Sequence, residues 1–383
     1  MIKNKNSEQI KIRNWVEKNK NSVIKNLINL VDINTWTKNK HGINKAYGYL
    51  EKDLFKKIPD YSIKKYKQNN LGDLLYLIPK NALKKKPIIL LSCHIDTVYE
   101  INRQKIKQTK DKLFGPGTCD MKGGLIVAIY SLLGLKELFN NQENIQLLIS
   151  PDEEIGSTAY REIRKKIYQS VDYAFIFESC GDKDELVQER KSIYQLRLNT
   201  KGDGGHAGYY VNKNKSAITT MMSVLLKLDK LNNAISNSSI NIGVIKGGTQ
   251  ANVIPEYAEA IVDVRCFGDN NMRNLLNEIK QISGSEKVNV ETIIGIPAMS
   301  VDDKKLKKIL SLLKNSFRKE NLNLRFEKRG GGSDANQISQ YGALCLDGFG
   351  PKGNFSHSSK EYVYVDSIFQ KIRLMVNILS KFI

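Results

Sequence analysis

Four groups of residues able to hold a metal ion lie between positions 90 and 178 of this 383-residue sequence. They are His94-Ile-Asp96, Asp120-Met-Lys-Gly-Gly124, Asp152-Glu153-Glu154 and Glu178. Imidazole nitrogen mixed with carboxylate oxygen suits a borderline-soft cation such as zinc, whereas calcium or magnesium would favour oxygen alone. In His94-Ile-Asp96 the two side chains share one side of an extended backbone, so Asp96 can orient the imidazole. Consecutive Glu153 and Glu154 cannot both face one point in a regular strand. In a loop, one can bind metal while the other acts on water as a general base. The set points to a two-metal hydrolase.

The elements that must position these groups follow from the flanking residues. The runs 87–93, 145–150 and 171–177 are short and apolar, as strands buried on both faces are. Ligands of open α/β sheets gather just beyond the carboxyl ends of such strands, and each run ends within a few residues of His94, of Asp152 to Glu154, or of Glu178. Asp120 arrives on the glycine-rich loop Gly115-Pro-Gly-Thr-Cys-Asp120-Met-Lys-Gly-Gly124, which leads into an apolar helix over 125–139. The fold expected is α/β, a mixed sheet flanked by helices. From 192 to 295 the pattern changes to strand (193–200), helix (216–231), two strands (239–246, 258–267), helix (271–282) and strand (287–294). That order is the β-α-β-β-α-β of a ferredoxin-like unit. The domains expected are therefore 1–191 with 296–383, and an insert at 192–295. Helices over 7–32 and 301–320 are read as packing elements.

Five motifs in order carry a resemblance: Ser92-Cys-His94-Ile-Asp96-Thr-Val98, Gly115-Pro-Gly-Thr-Cys-Asp120-Met-Lys-Gly-Gly124, Asp152-Glu153-Glu154-Ile-Gly156, Gly202-Asp-Gly-Gly-His206-Ala-Gly208 and His357-Ser. From about position 88 to the C-terminus the chain resembles the M20 family of dizinc peptidases and deacylases. The resemblance implies two Zn²⁺ per chain, with cobalt able to substitute. Asp120 would bridge them, His94 and Glu178 completing one shell, Glu154 and His357 the other. Glu153 would be the general base and Asp96 would orient His94. Such a pair of ions, about 3.5–4 Å apart, polarises a carbonyl and activates water. The insert would be the family's lid and dimerisation domain, implying a homodimer. His206 would stabilise the tetrahedral oxyanion, often across the dimer interface. Asn252 and Arg265 resemble substrate-binding positions, with Arg265 holding a free carboxylate in a two-pronged geometry. Gly331 and Ser333, in Gly330-Gly-Gly-Ser-Asp334-Ala, would add donors near that carboxylate.

Glu178, where aminopeptidase members have Asp, resembles carboxypeptidases and deacylases. Asp96-Thr-Val-Tyr99, Gly115-Pro-Gly117 and Gly350-Pro-Lys-Gly-Asn-Phe-Ser-His357 are similar to glutamate carboxypeptidases, from which Met121 departs. The expected function is cleavage of an amide bond next to a free carboxylate in a small peptide. N-acyl amino acid deacylation, of the acetylornithine or succinyl-diaminopimelate type, is the alternative. A catalytically silent basic binding protein on the same fold is a third reading.

Plainer roles compete for several residues. His41 has no metal-binding company and reads as surface. Arg265 could pair with Asp263 or Glu259 along its strand, Asp334 could cap the following helix, and Lys122 could stabilise the loop carboxylates. The five cysteines, odd in number and without a Cys-x-x-Cys pair, read as free thiols, with Cys93 turned away from the face of His94. Sixty basic against forty acidic residues give a net charge of +20, dispersed through Lys/Asn-rich stretches. Without a nucleic-acid motif, the excess reads as solvated lysine surface, and no specific nucleic-acid partner is expected. No secretory signal and no run long enough to cross a membrane is evident, so the expected location is cytoplasmic.

Overall fold

The structure, a computed structural model, describes residues 2–82, 87–101, 105–181, 183–232 and 237–383. The chain forms two units. The first comprises Met1–Gln188, Val301–Lys328 and Ser333–Ile383. Its sheet contains strands β1 (Tyr61–Tyr66), β2 (Leu74–Pro79), β3 (Ile89–His94), β4 (Ile145–Ser150) and β5 (Tyr173–Ile176), with a last strand Leu344–Leu346, in the order β1-β2-β4-β3-β5-(Leu344–Leu346). β3 pairs parallel with both β4 and β5, and Leu344–Leu346 pairs parallel with β5. β2 and β1 close one side antiparallel. Every residue of β3 and β4 is buried, as continuous apolar runs in a covered parallel sheet should be.

Helix α1 (Ile2–Asp32) and the C-terminal helix Val365–Leu379 pack on α2 (Gly123–Phe139), and α2 packs on β3. Residues 123–135 of α2 are buried on every side. This corrects one expectation. The stretch Thr118–Phe139 does have the length and apolarity of a membrane span, but 94% of its apolar window is buried inside the molecule. A helix hydrophobic all round is the mark of a core helix as much as of a membrane one.

The second unit comprises Glu189–Ser300 and Arg329–Gly332. It contains β6 (Ser192–Lys201), α3 (Ala217–Asp229), β7 (Ser239–Gly247), β8 (Tyr257–Cys266), α4 (Asp269–Ser285) and β9 (Asn289–Ile296). The strands lie in the order β7-β8-β6-β9, all antiparallel. β8 alternates, burying Ala258, Ala260, Val262 and Val264 in one cluster with apolar residues of α3 and α4. The chain passes between the units at 188/189 and 300/301, a few residues outside 192 and 295, and the short piece 329–332 belongs to the second unit.

Candidate metal centre

Three parallel strands deliver their groups to one edge of the first unit's sheet. His94 is the last residue of β3, Glu178 follows β5 by two residues, and Glu153 and Glu154 sit on a short 3-10 turn (Glu153–Ile155) just after β4. The Gly115–Gly124 loop brings Asp120 to the same place, its Asp120–Met121 peptide being cis. His94 Nε2 lies 3.0 Å from Asp120 Oδ1 and 3.5 Å from Glu178 Oε1. His357 Nε2 lies 3.2 Å from Asp120 Oδ2 and 3.1 Å from Glu154 Oε2. Two trios result, His94-Asp120-Glu178 and Asp120-Glu154-His357, each with its donor atoms within 4.8 Å of one another. Asp120 gives a different oxygen to each.

The donor set fits two zinc-like cations. Each trio offers one imidazole and two carboxylates, a mixture that zinc accepts. Burial raises the carboxyl pKa of Glu154, to about 7, helped by the charge of Asp120. Burial likewise raises those of Glu153 and Glu178. Hydrogen bonds to Asp120 and Glu154 push the His357 imidazole up to about 11. Burial opposes charge on His94, yet Glu178, Asp120 and Asp96 raise its pKa well above the usual histidine range. The cluster thus attracts positive charge strongly, and divalent cations supply it as protons do. Glu154 Oε1 is buried without a hydrogen-bond partner, which leaves a carboxylate lone pair for a cation.

Asp96 supports both halves. Its carboxylate accepts the Thr37 hydroxyl at 2.8 Å and the backbone N–H groups of Glu153 and Glu154 at 3.1 and 3.2 Å, so it fixes the 3-10 turn. It also holds His94, but the closer contact from His94 Nδ1 is to the Asp96 backbone carbonyl, at 3.0 Å, with the carboxylate at 3.4 Å. Asp152, grouped with Glu153 and Glu154 in the sequence, turns inward. It forms a buried two-pronged pair with Arg164 and accepts the N–H of Ala159.

Sequence reasoning missed Glu361. Fully buried, it accepts the backbone N–H groups of Gly117, Cys119 and Asp120 at 2.9, 2.8 and 3.0 Å, and the Tyr99 hydroxyl at 2.8 Å. The loop that carries the shared aspartate is therefore tied to the strand Tyr362–Tyr364 by one carboxylate. The only signal in the sequence is an acid four residues after His357. Lys122, expected to stabilise the loop carboxylates, donates from Nζ to the Ile33 carbonyl at 2.9 Å, and burial pushes its pKa down to about 7 against the opposing pull of Glu361 and Asp32.

In the second unit His206 is exposed at the end of a glycine turn, its Nδ1 accepting the N–H of Gly208. Ala207 N donates to the Asn252 carbonyl and Ile254 N to that of Gly205, which places His206 beside the Asn252 segment. Arg265 makes the in-strand pair weighed against its substrate role, with Nε 2.7 Å from Asp263 Oδ1, and donates to the Gly330 carbonyl. The Gly331 carbonyl accepts from Arg190, a residue the sequence did not single out. Ser333 lies in the first unit, buried. Its hydroxyl donates to Asp347 and accepts the N–H of Ala335, which caps the helix Asp334–Ile338. Ser333 rather than Asp334 is thus the cap, because Asp334 is engaged below by the hydroxyls of Ser150 and Ser157. The five cysteines are buried and unbridged, and His41 is exposed.

A family model described as peptidase family M20/M25/M40 matches residues 90–381. Carboxypeptidase G2 of Pseudomonas sp. (strain RS-16) is 28% identical over 373 residues, 94% of this chain and 88% of that protein. Succinyl-diaminopimelate desuccinylase of Rickettsia bellii (strain RML369-C) is 26% identical over 326 residues, 77% of this chain and 80% of that protein. Among solved structures, aminopeptidase PepT from Bacillus cereus ATCC 10987 matches with a TM-score of 0.81 at 21% identity, over 95% of this chain and 99% of that one. The M20 metallo-carboxypeptidase Sso-CP2 from Sulfolobus solfataricus matches with 0.74 at 15% identity, over 94% and 99%. The mixed α/β fold expected from the sequence is the fold of these structures.

Proposed function

We propose, since the chain belongs to peptidase family M20/M25/M40 and is a metallohydrolase of it, that it cleaves an amide bond next to a free carboxylate as a glutamate carboxypeptidase-like exopeptidase using two zinc ions. The observation that carries this reading is Asp120, one carboxylate offering a separate oxygen to each of two imidazole-carboxylate trios. When bound, the ions supply the positive charge that polarises the scissile carbonyl and activates water.

The remaining steps belong to side chains. Glu153, whose burial strengthens its hold on a proton, takes one from the attacking water and passes it to the leaving amine nitrogen. Asp96 keeps Glu153 in place through the backbone N–H it accepts. His206 is assigned the developing oxyanion. Arg265, Asn252 and the Gly331 backbone are assigned the substrate's carboxylate, for which Arg265 has to exchange Asp263. Ser333 contributes by capping its helix beside them in sequence. A homodimer through the second unit is supported by β7, an edge strand with exposed Val244 and Ile245. The likeness to a desuccinylase supports the second reading, removal of an acyl group from an amino acid. Completeness of both trios argues against a silent binding protein.

Elemental analysis and turnover test the proposal together. We expect two zinc ions per chain, and in Glu153→Gln both ions kept with hydrolysis slowed about 10²–10⁴-fold. Fewer than two ions, or full activity in that variant, overturns the two-metal reading. Dipeptides assayed beside N-acyl amino acids separate peptidase from deacylase.

A further inference from the structure

Beside the metal centre, on the same unit, lies a depression of about 500 Å³ whose lining includes Lys105, Lys107, Lys112, Lys360 and Phe355. Its floor is aromatic. Phe114 and Phe355 flank Tyr362, with ring centroids 5.6 and 6.1 Å away, and Phe355 is 50% exposed. Its rim is cationic. Lys112 Nζ stands 3.7 Å from the Tyr362 ring centroid, and no carboxylate among the described residues pairs with any of the four lysines. On a chain of net charge +20 exposed lysines are ordinary. Four of them around a concave aromatic surface without an acid in the lining are not, because like charges so gathered repel unless an anion joins them.

The depression is continuous with the site through the backbone. Phe355 and His357 both hold left-handed backbone angles, φ 61° and 62°, uncommon for residues other than glycine. Two residues apart, their α-carbons are at most about 7.6 Å from each other. Lys360 and Tyr362 flank Glu361, the carboxylate that ties down the Asp120 loop.

We propose that this depression binds the acyl side of the substrate, and that this side is an acidic peptide segment carrying an aromatic or similarly flat apolar group. The inference rests on the amide-hydrolase reading above, in which the free carboxylate on the leaving side is assigned to Arg265. The lysines meet the acidic groups, and the half-exposed Phe355, backed by the buried Tyr362, meets the flat one.

The test measures binding to the zinc-loaded full chain carrying Glu153→Gln, which blocks turnover. Acetyl-Glu-Glu-Phe-amide, which lacks a terminal carboxylate, should bind at least about tenfold more tightly than acetyl-Gln-Gln-Phe-amide, and less so as salt rises. Lys107→Glu with Lys360→Glu should erase that difference, and Phe355→Ala should weaken both probes. In the otherwise unaltered enzyme, the same reversal should lower the ratio of kcat/KM for acidic over neutral acyl groups about tenfold, through KM. Should the double reversal unfold the chain, Lys107→Gln with Lys360→Gln gives the same reading at smaller amplitude. Equal binding of both probes, or a preference that survives the substitutions in a folded variant, overturns the inference. So does displacement of the acidic probe by oligothymidylate at lower concentration, which would make the surface one for nucleic-acid phosphates. Binding as described in a chain that hydrolyses no amide would instead sink the functional reading and leave the site.

Discussion

The two trios share Asp120 and use the same residue types, yet they are built differently. His94 and Glu178 come from the ends of neighbouring parallel strands, and the His94 side chain is 1% exposed. Glu154 and His357 come from a 3-10 turn and a left-handed turn, and the His357 side chain is 53% exposed. One half of the centre is as fixed as the core beneath it, whereas the other depends on loops. A ligand already held in place gives up less freedom on binding, so the buried trio should hold its ion more tightly and exchange it more slowly.

Substitution of the shared residue is the harshest test. Asp120→Ala removes a member of both trios, so bound zinc should fall to near zero and hydrolysis should vanish. Two ions retained would break the pairing of the trios. Next come the histidines. His357→Ala should keep one tightly held ion and cost the metal-free fold less than His94→Ala does, since the side chain it removes is half exposed although it pairs with Asp120 and Glu154. His94→Ala should lose the tight ion and cost of order 2 kcal/mol or more, since it empties a buried site. Equal outcomes in calorimetry and metal analysis would erase the contrast. Glu361→Gln should weaken both ions together, by about 10–100-fold, as changes behind metal ligands do, and competition with a chelator would measure it.

The smallest effect is the response to pH. Raised pKa values of Glu154, to about 7 mainly through burial, and of His357, to about 11 through its carboxylate partners, mean the folded chain binds more protons than the unfolded one. That stability is complete below the unfolded pKa values and is lost as pH rises. The melting temperature of the metal-free protein should therefore fall between about pH 5 and 11. The increment added by zinc should grow over the same window, because the ion needs deprotonated ligands. A metal-free melting temperature that rises with pH would contradict the electrostatic account.

Much of this contrast was legible in the sequence, and unequally so. The run at 145–150 is β4 residue for residue, because an apolar strand bounded by polar turns has no other way to hide. Both trios could be named, since each member sits in a short motif. Glu361 could not, because its importance is that three N–H groups more than 240 residues away converge on it, a fact of tertiary packing. Asp334 misled for a related reason. An acid at a helix start usually caps it, but here Ser150 and Ser157 compete for the carboxylate from below, and Ser333 takes the cap. Asp152 was drawn into the cluster by adjacency, and only the buried Arg164 shows why it faces away.

The discontinuity of the first unit also sets an order of events during synthesis. All three members of the buried trio have been made once Glu178 is added, whereas His357 comes about 180 residues later. At roughly 5–20 residues per second that is a delay of about 10–35 s. The strand Leu344–Leu346, which completes the sheet beside β5, belongs to the same late stretch. A growing chain therefore passes through a period in which all three ligands of one ion exist while the second still lacks His357. The last elements to arrive complete the centre, so the catalyst cannot be assembled before the sheet that carries it.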